Sequence, residues 1–104
     1  MPTLVGSVDI RALENAGING YDVRECAHRQ FGSDLRVDID IDRNMLEFSV
    51  DDASLQRWQK RDAVQVLTIS GKYSAYSVAL RLPLSQYTAQ TKVVPTRSKK
   101  LLLI

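Results

Sequence analysis

Aspartate and glutamate disappear after Asp62; no acidic side chain follows it. A Ser–His–Asp arrangement therefore cannot be assembled locally in the second half, because nothing there can orient the imidazole. The chain has one cysteine, Cys26, and one histidine, His28. That excludes an intrachain disulfide, and a Cys/His zinc cluster would need ligands from another chain. No glycine lies between Gly32 and Gly71. The acidic stretch inside that interval thus lacks the glycine that bends a usual calcium loop. SGK at Ser70–Lys72 likewise lacks the upstream glycines of a phosphate-binding loop. Long apolar runs are missing too: the longest, LLLI at Leu101–Ile104, is far below membrane-spanning length. With no basic leader in MPTLVGSVDIRALE and an unpaired cysteine, the expectation is a cytoplasmic protein without a membrane segment.

What is present is ordinary globular sequence. The 104 residues are 44% hydrophobic and 25% charged, enough to close one core without metal or disulfide support. Residues 1–96 read as a single α+β domain and residues 97–104 as a basic-apolar tail. The net charge of +2 conceals a division. Residues 1–52 hold eleven acids against five Arg/Lys, while residues 53–104 hold one acid against nine. Such a division favours contact between molecules, or it cancels internally where the two halves interleave in one sheet.

Period and punctuation place the elements. Ser7 can cap a helix over Val8–Ala16, with Ile10, Leu13 and Ala16 facing inward and Gly17 stopping it. Thr3–Val5 reads as a short edge strand. After the Asn-Gly turn, a second helix over Asp22–Phe31 carries the stripe Val23, Cys26, Ala27 and Phe31, with Asp22 and Glu25 as a capping box. From Leu35 the period changes to two. RVDIDID, Arg36–Asp42, alternates with the returning NMLEFSV, Asn44–Val50, so the two form a hairpin. Asp51 or Asp52 starts a short helix carrying Leu55 and Trp58.

A second hairpin follows, Ala63–Ser70 with Tyr73–Leu82. Its first strand is apolar on both sides, Val64 and Val66 opposing Leu67 and Ile69. Either both faces are covered or a bulge shifts the register. A last strand is expected near Lys92–Val94. The predicted fold is α+β: N-terminal helices packed on an antiparallel sheet of four to five strands, with a short helical cross-connection.

Each chemical candidate has a plain structural reading beside it. Asp38, Asp40 and Asp42 share one side of a strand, with Glu47 across the hairpin, and hard cations favour such oxygens. Residues two apart on a strand are about 6.6 Å apart, however, so these side chains do not converge easily. Arg36 and Arg43 are near enough to pair with them, and the stretch reads as the wet side of a strand. Cys26 and His28, two apart on a helix, point in different directions; Cys26 reads as core and His28 as surface.

Three classes of function follow, in descending order. The first is a non-enzymatic interaction protein that forms a homodimer or binds a protein partner, using apolar surface left uncovered. The second is a DNA- or RNA-binding protein using Arg57, Lys60, Arg61, Lys72, Tyr73, Lys92, Arg97, Lys99 and Lys100, although no nucleic-acid motif accompanies them. A small hydrolase or metal-dependent enzyme is the least favoured. No cofactor or catalytic residue is expected.

Overall fold

The computed structural model describes residues 2–83. Along them run β1 (Thr3–Asp9), α1 (Ile10–Asn15), α2 (Gly20–Phe31), a 3-10 turn (Gly32–Asp34), β2 (Arg36–Asp40) and β3 (Met45–Val50). Then come α3 (Asp52–Gln59), β4 (Val64–Ser70) and β5 (Ala75–Arg81). The expected strand near Lys92–Val94 and the tail at 97–104 lie outside the described residues.

The expected single sheet under an N-terminal helical cap is overturned. There are two sheets, one of three strands in the order β1-β3-β2 and one formed by β4 and β5 alone, every pairing antiparallel. The chain opens with a full strand rather than a helix. Thr3–Val5 does begin that strand, but it continues through Gly6 and Ser7 to Asp9 and pairs with β3. Ser7 is therefore a strand residue opposite Glu47, and Asp9 caps α1 by accepting from the Arg11 N–H at 2.8 Å.

Gly6 marks the seam between the sheets. The register slips between Leu4 and Gly6, and a Cβ on Gly6 would sit 3.0 Å from the Ala79 carbonyl oxygen of β5. The absence of a side chain eases this close approach of β1 to β5; a Cβ here would push on the Ala79 carbonyl and the Leu80 side chain.

The α1–α2 connection ends the first helix with Gly17 at φ 74°, its N–H bonding Glu14 while the Ile18 N–H reaches back to Leu13. This is a left-handed glycine cap. Asn19, not Asp22, then caps α2, its side chain accepting from the Asp22 N–H at 3.0 Å. Onto this connection docks the β4–β5 turn: the Lys72 N–H donates to Gly17 at 3.3 Å and the Tyr73 N–H to Ala16 at 3.1 Å. A Cβ on Gly71 would collide with the Ala16 carbonyl.

The β2–β3 hairpin forms as the alternation predicts. Val37 and Ile39 lie opposite Phe48 and Leu46, while Asp38 lies opposite Glu47. The strand stops at Asp40. Ile41 and Asp42 belong to a four-residue turn closed by Asn44 at φ 56°, a conformation asparagine tolerates.

Both sheets contribute to one core. Val23, Ala27 and Phe31 of α2 join Phe48 and Val50 of β3, Trp58 of α3, and Leu67, Ile69 and Leu80 of the second sheet in one buried cluster. Phe31 and Trp58 pack with ring centroids 5.2 Å apart. Burying side chains of this size contributes about 1.5–3 kcal/mol each. Helix α2 touches both β2 and β4, so it tethers the outer strand of each sheet.

Candidate functional site

Four places can carry chemistry or recognition. The first is the outward side of the three-stranded sheet. Register puts Ser7, Glu47 and Asp38 in one row and Asp9, Met45 and Asp40 in the next. Like charges directly opposed across a strand pair are unfavourable. Two arginines relieve them: Arg36 lies 3.6 Å from Asp38 and 3.3 Å from Asp51, and Arg43 lies 3.9 Å from Glu47. Among the described residues no group of three or more His, Cys, Asp or Glu is placed to hold a metal ion. The alternating aspartates face outward as read. Cys26 is buried and His28 exposed, also as read.

The second place is where the two halves of the sequence meet. Asp34 in the 3-10 turn accepts from Arg57 at 2.9 and 3.2 Å, a two-pronged contact, and Arg61 stands 4.0 Å away. The Arg57 hydrogen bond holds the Asp34 carboxyl below its ordinary range; burial opposes this, and the charges of Arg57 and Arg61 add to it. Arg61 also lies over the rings of Phe31 and Trp58, 5.2 and 5.3 Å from their centroids. Two members of the basic set are thus already engaged inside the molecule. Sequence reading missed Asp34 as their partner. Spacing along the chain carried no signal for it, since Arg57 lies in α3, Arg61 just beyond its end and Asp34 in the distant 3-10 turn.

The basic residues within the described part do not gather into one patch. Lys60 and Arg61 follow α3, whereas Lys72 and Tyr73 lie beyond the other end of β4, about 20 Å away along a strand of seven residues. Tyr73 is 72% exposed, with the Lys72 ammonium 5.8 Å from its ring centroid. Lys92, Arg97, Lys99 and Lys100 lie outside the described residues.

The third place is a hollow of about 220 Å³ between the helices and the three-stranded sheet. Ile10, Leu13, Ile18, Ile39 and Leu46 line it, with Glu14 at its rim. It continues past Asn19 and Gly20 toward Arg24. Here the inward row of β2 runs out of cover. Ile39 faces the core side yet is 52% exposed, and Ile41 in the turn is 83% exposed. Alternation alone puts both on the side of the strand opposite the aspartates.

The fourth is the outward side of β4–β5. Its positions are Val64, Val66, Thr68 and Ser70 paired with Arg81, Ala79, Ser77 and Ala75. One of these eight side chains is charged. Val66 is 54% exposed while its neighbours Leu67 and Ile69 are fully buried. Neither expected explanation for the apolar double face holds: the β4–β5 register runs without a shift, and the outward face is uncovered among the described residues. Leu4 of β1 adds a further exposed apolar side chain, on the other sheet.

Among the described residues no helix is long and apolar enough to cross a membrane. No protein-family model, no curated protein and no solved structure matches this chain.

Proposed function

We propose that this chain is a non-enzymatic interaction domain that pairs with a second copy of itself through the outward face of β4–β5. The supporting observation is the half-exposed Val64 and Val66 on a face where only Arg81 is charged. A face with a single charge at one end can meet a copy of itself with little like-charge repulsion, whereas the acidic face of the other sheet cannot. The near absence of charge therefore favours self-pairing here over a strongly charged partner.

Area sets the strength. Two paired strands of this length present roughly 200–250 Å², against about 800 Å² per partner in a stable interface. Association is accordingly weak and concentration-dependent. Sedimentation equilibrium over a wide concentration range tests this. A reversible dimer that disappears in Ala79→Lys, with the circular dichroism spectrum unchanged, is the expected result. A monomer at every concentration, or a dimer indifferent to Ala79→Lys, would sink the reading.

One observation favours nucleic-acid binding as a second reading: Tyr73 is exposed beside Lys72, a stacking surface next to a cation. Arg57 and Arg61 already have Asp34, which weakens the wider basic set. Fluorescence anisotropy with single- and double-stranded DNA and RNA at low salt decides it. Binding that falls in Tyr73→Ala supports this reading, and no binding to any of the four removes it.

A further inference from the structure

The edge of β4 is stopped by a side chain that imitates a strand. Gln30, next to the last residue of α2, donates through Nε2 to the Thr68 carbonyl at 2.7 Å, and its Oε1 accepts from the Thr68 N–H at 3.2 Å. An amide that exchanges two hydrogen bonds with one residue reproduces what a neighbouring strand would supply. In an antiparallel ladder, a residue's N–H and C=O either both face the paired strand or both face away from it. Those of Thr68 therefore face away from β5, and so, two and four residues back, do those of Val66 and Val64. β4 is the outer strand of its sheet.

The strand behind this stop is well suited to pairing with itself. VQVLTIS contains no charge and no proline, and four of its seven residues are valine, isoleucine or threonine. Such segments add readily to like strands when their edge is open. Charged outward residues discourage pairing on β2, where Arg36, Asp38 and Asp40 stand along the edge. On β4 no charge does this; the groups on its open edge are neutral amides, Gln30 at Thr68 and, at the strand's start, Gln65, whose Nε2 donates to the Val64 carbonyl at 3.5 Å.

We propose that the β4 edge is a latent strand-addition site for a second copy of the chain, held shut by the Gln30 amide at Thr68. The partner is another β4, laid antiparallel to the first, giving a continuous four-stranded sheet across two copies. This surface is the edge of the sheet, distinct from the face discussed above, and it does not rest on that reading. Opening it requires that the end of α2 release Thr68 and that Gln65 turn away from the Val64 carbonyl, a long 3.5 Å contact.

The test uses a labelled synthetic peptide of residues 64–70 and the full chain. Gln30→Met keeps the length of the side chain and removes both hydrogen bonds. It is expected to bind the peptide about tenfold more tightly than the unsubstituted chain, the scale of two net hydrogen bonds no longer competing. Gln30→Glu serves as the second variant should Gln30→Met alter the circular dichroism spectrum. It keeps the acceptor for the Thr68 N–H but loses the donor and places negative charge against the Thr68 carbonyl, so a smaller gain of about threefold is expected, the scale of one net hydrogen bond. Adding Val66→Pro, whose lost N–H faces away from β5, should return binding to the unsubstituted level. Ala79→Lys, on β5, should leave the gain intact, separating edge addition from face pairing. Peptide binding unchanged in both Gln30 variants would overturn the proposal. So would a gain that survives Val66→Pro or vanishes in Ala79→Lys.

Discussion

The two sheets present opposite chemistry to solvent, and they come from opposite halves of the sequence. The three-stranded sheet is built entirely from residues before Asp51; its outward rows carry Asp9, Asp38, Asp40 and Glu47. The two-stranded sheet is built entirely from residues after Asp62, and its outward face carries Arg81 as its one charge. The halves were free to interleave in one sheet and cancel their charge there. They do not; they meet instead at Asp34, Arg57 and Arg61. The lesson is that a charge division along a chain becomes a division in space when each half closes its own ladder. One face is then kept apart from its copies by repulsion, while the other has no such protection.

The contrast is largest between the two sides of β4 itself. Leu67→Ala is expected to cost about 2–5 kcal/mol, since its side chain is fully buried. Val66→Thr, one residue away on the uncovered side, should cost less than about 0.5 kcal/mol. Urea unfolding followed by Trp58 fluorescence compares them. Equal costs would mean that the outward face is covered in solution.

A smaller effect should appear where the acidic and basic halves join. The Asp34 carboxyl is held below its unfolded-state value, so its stabilisation is present above about pH 4. It is lost as pH falls through the lower folded value. Asp34→Asn should therefore be less stable than the unsubstituted chain near neutrality, with the gap closing in acid. Urea midpoints measured across that range check the sign. A gap that widens in acid would refute the assignment.

The smallest effect probes the acidic face. Glu47→Thr removes the repulsion with Asp38 and is expected to stabilise by about 0.2–1 kcal/mol, offset in part by loss of the Arg43 contact. The gain should shrink as salt is added. Thermal unfolding at two ionic strengths measures it.

Local pattern made much of this legible. The stripe Val23, Cys26, Ala27 and Phe31 located α2, and alternation located β2 and β3, because each signal arises within one element. The extent of β1 was hidden by Gly6 and Ser7, residues that suit a cap or turn better than a strand. Ser7 and Asp9 are both able N-caps, and only pairing with β3 decides between them. The division into two sheets was hidden for a related reason: whether β1 joins β3 or β5 depends on register across long separations. Alternation also reads which way a side chain points, not whether anything lies above it. Ile39 and Val66 point in opposite senses relative to the core, yet both reach solvent. The Asp34 contacts needed tertiary placement that no spacing of acids revealed.

The docking of the β4–β5 turn on the α1–α2 connection has a kinetic consequence. Each hairpin is local and can close within microseconds, but the bonds from Lys72 and Tyr73 to Gly17 and Ala16 span most of the described chain. Their formation must wait for the intervening segment to collapse, and the entropy of that long closure falls on the final assembly step. The joining of the two sheets is therefore expected to carry more of the closure entropy than either hairpin does. The carbonyls of Ala16 and Gly17 thus serve as the anchor that holds the acid-free hairpin against the rest of the fold.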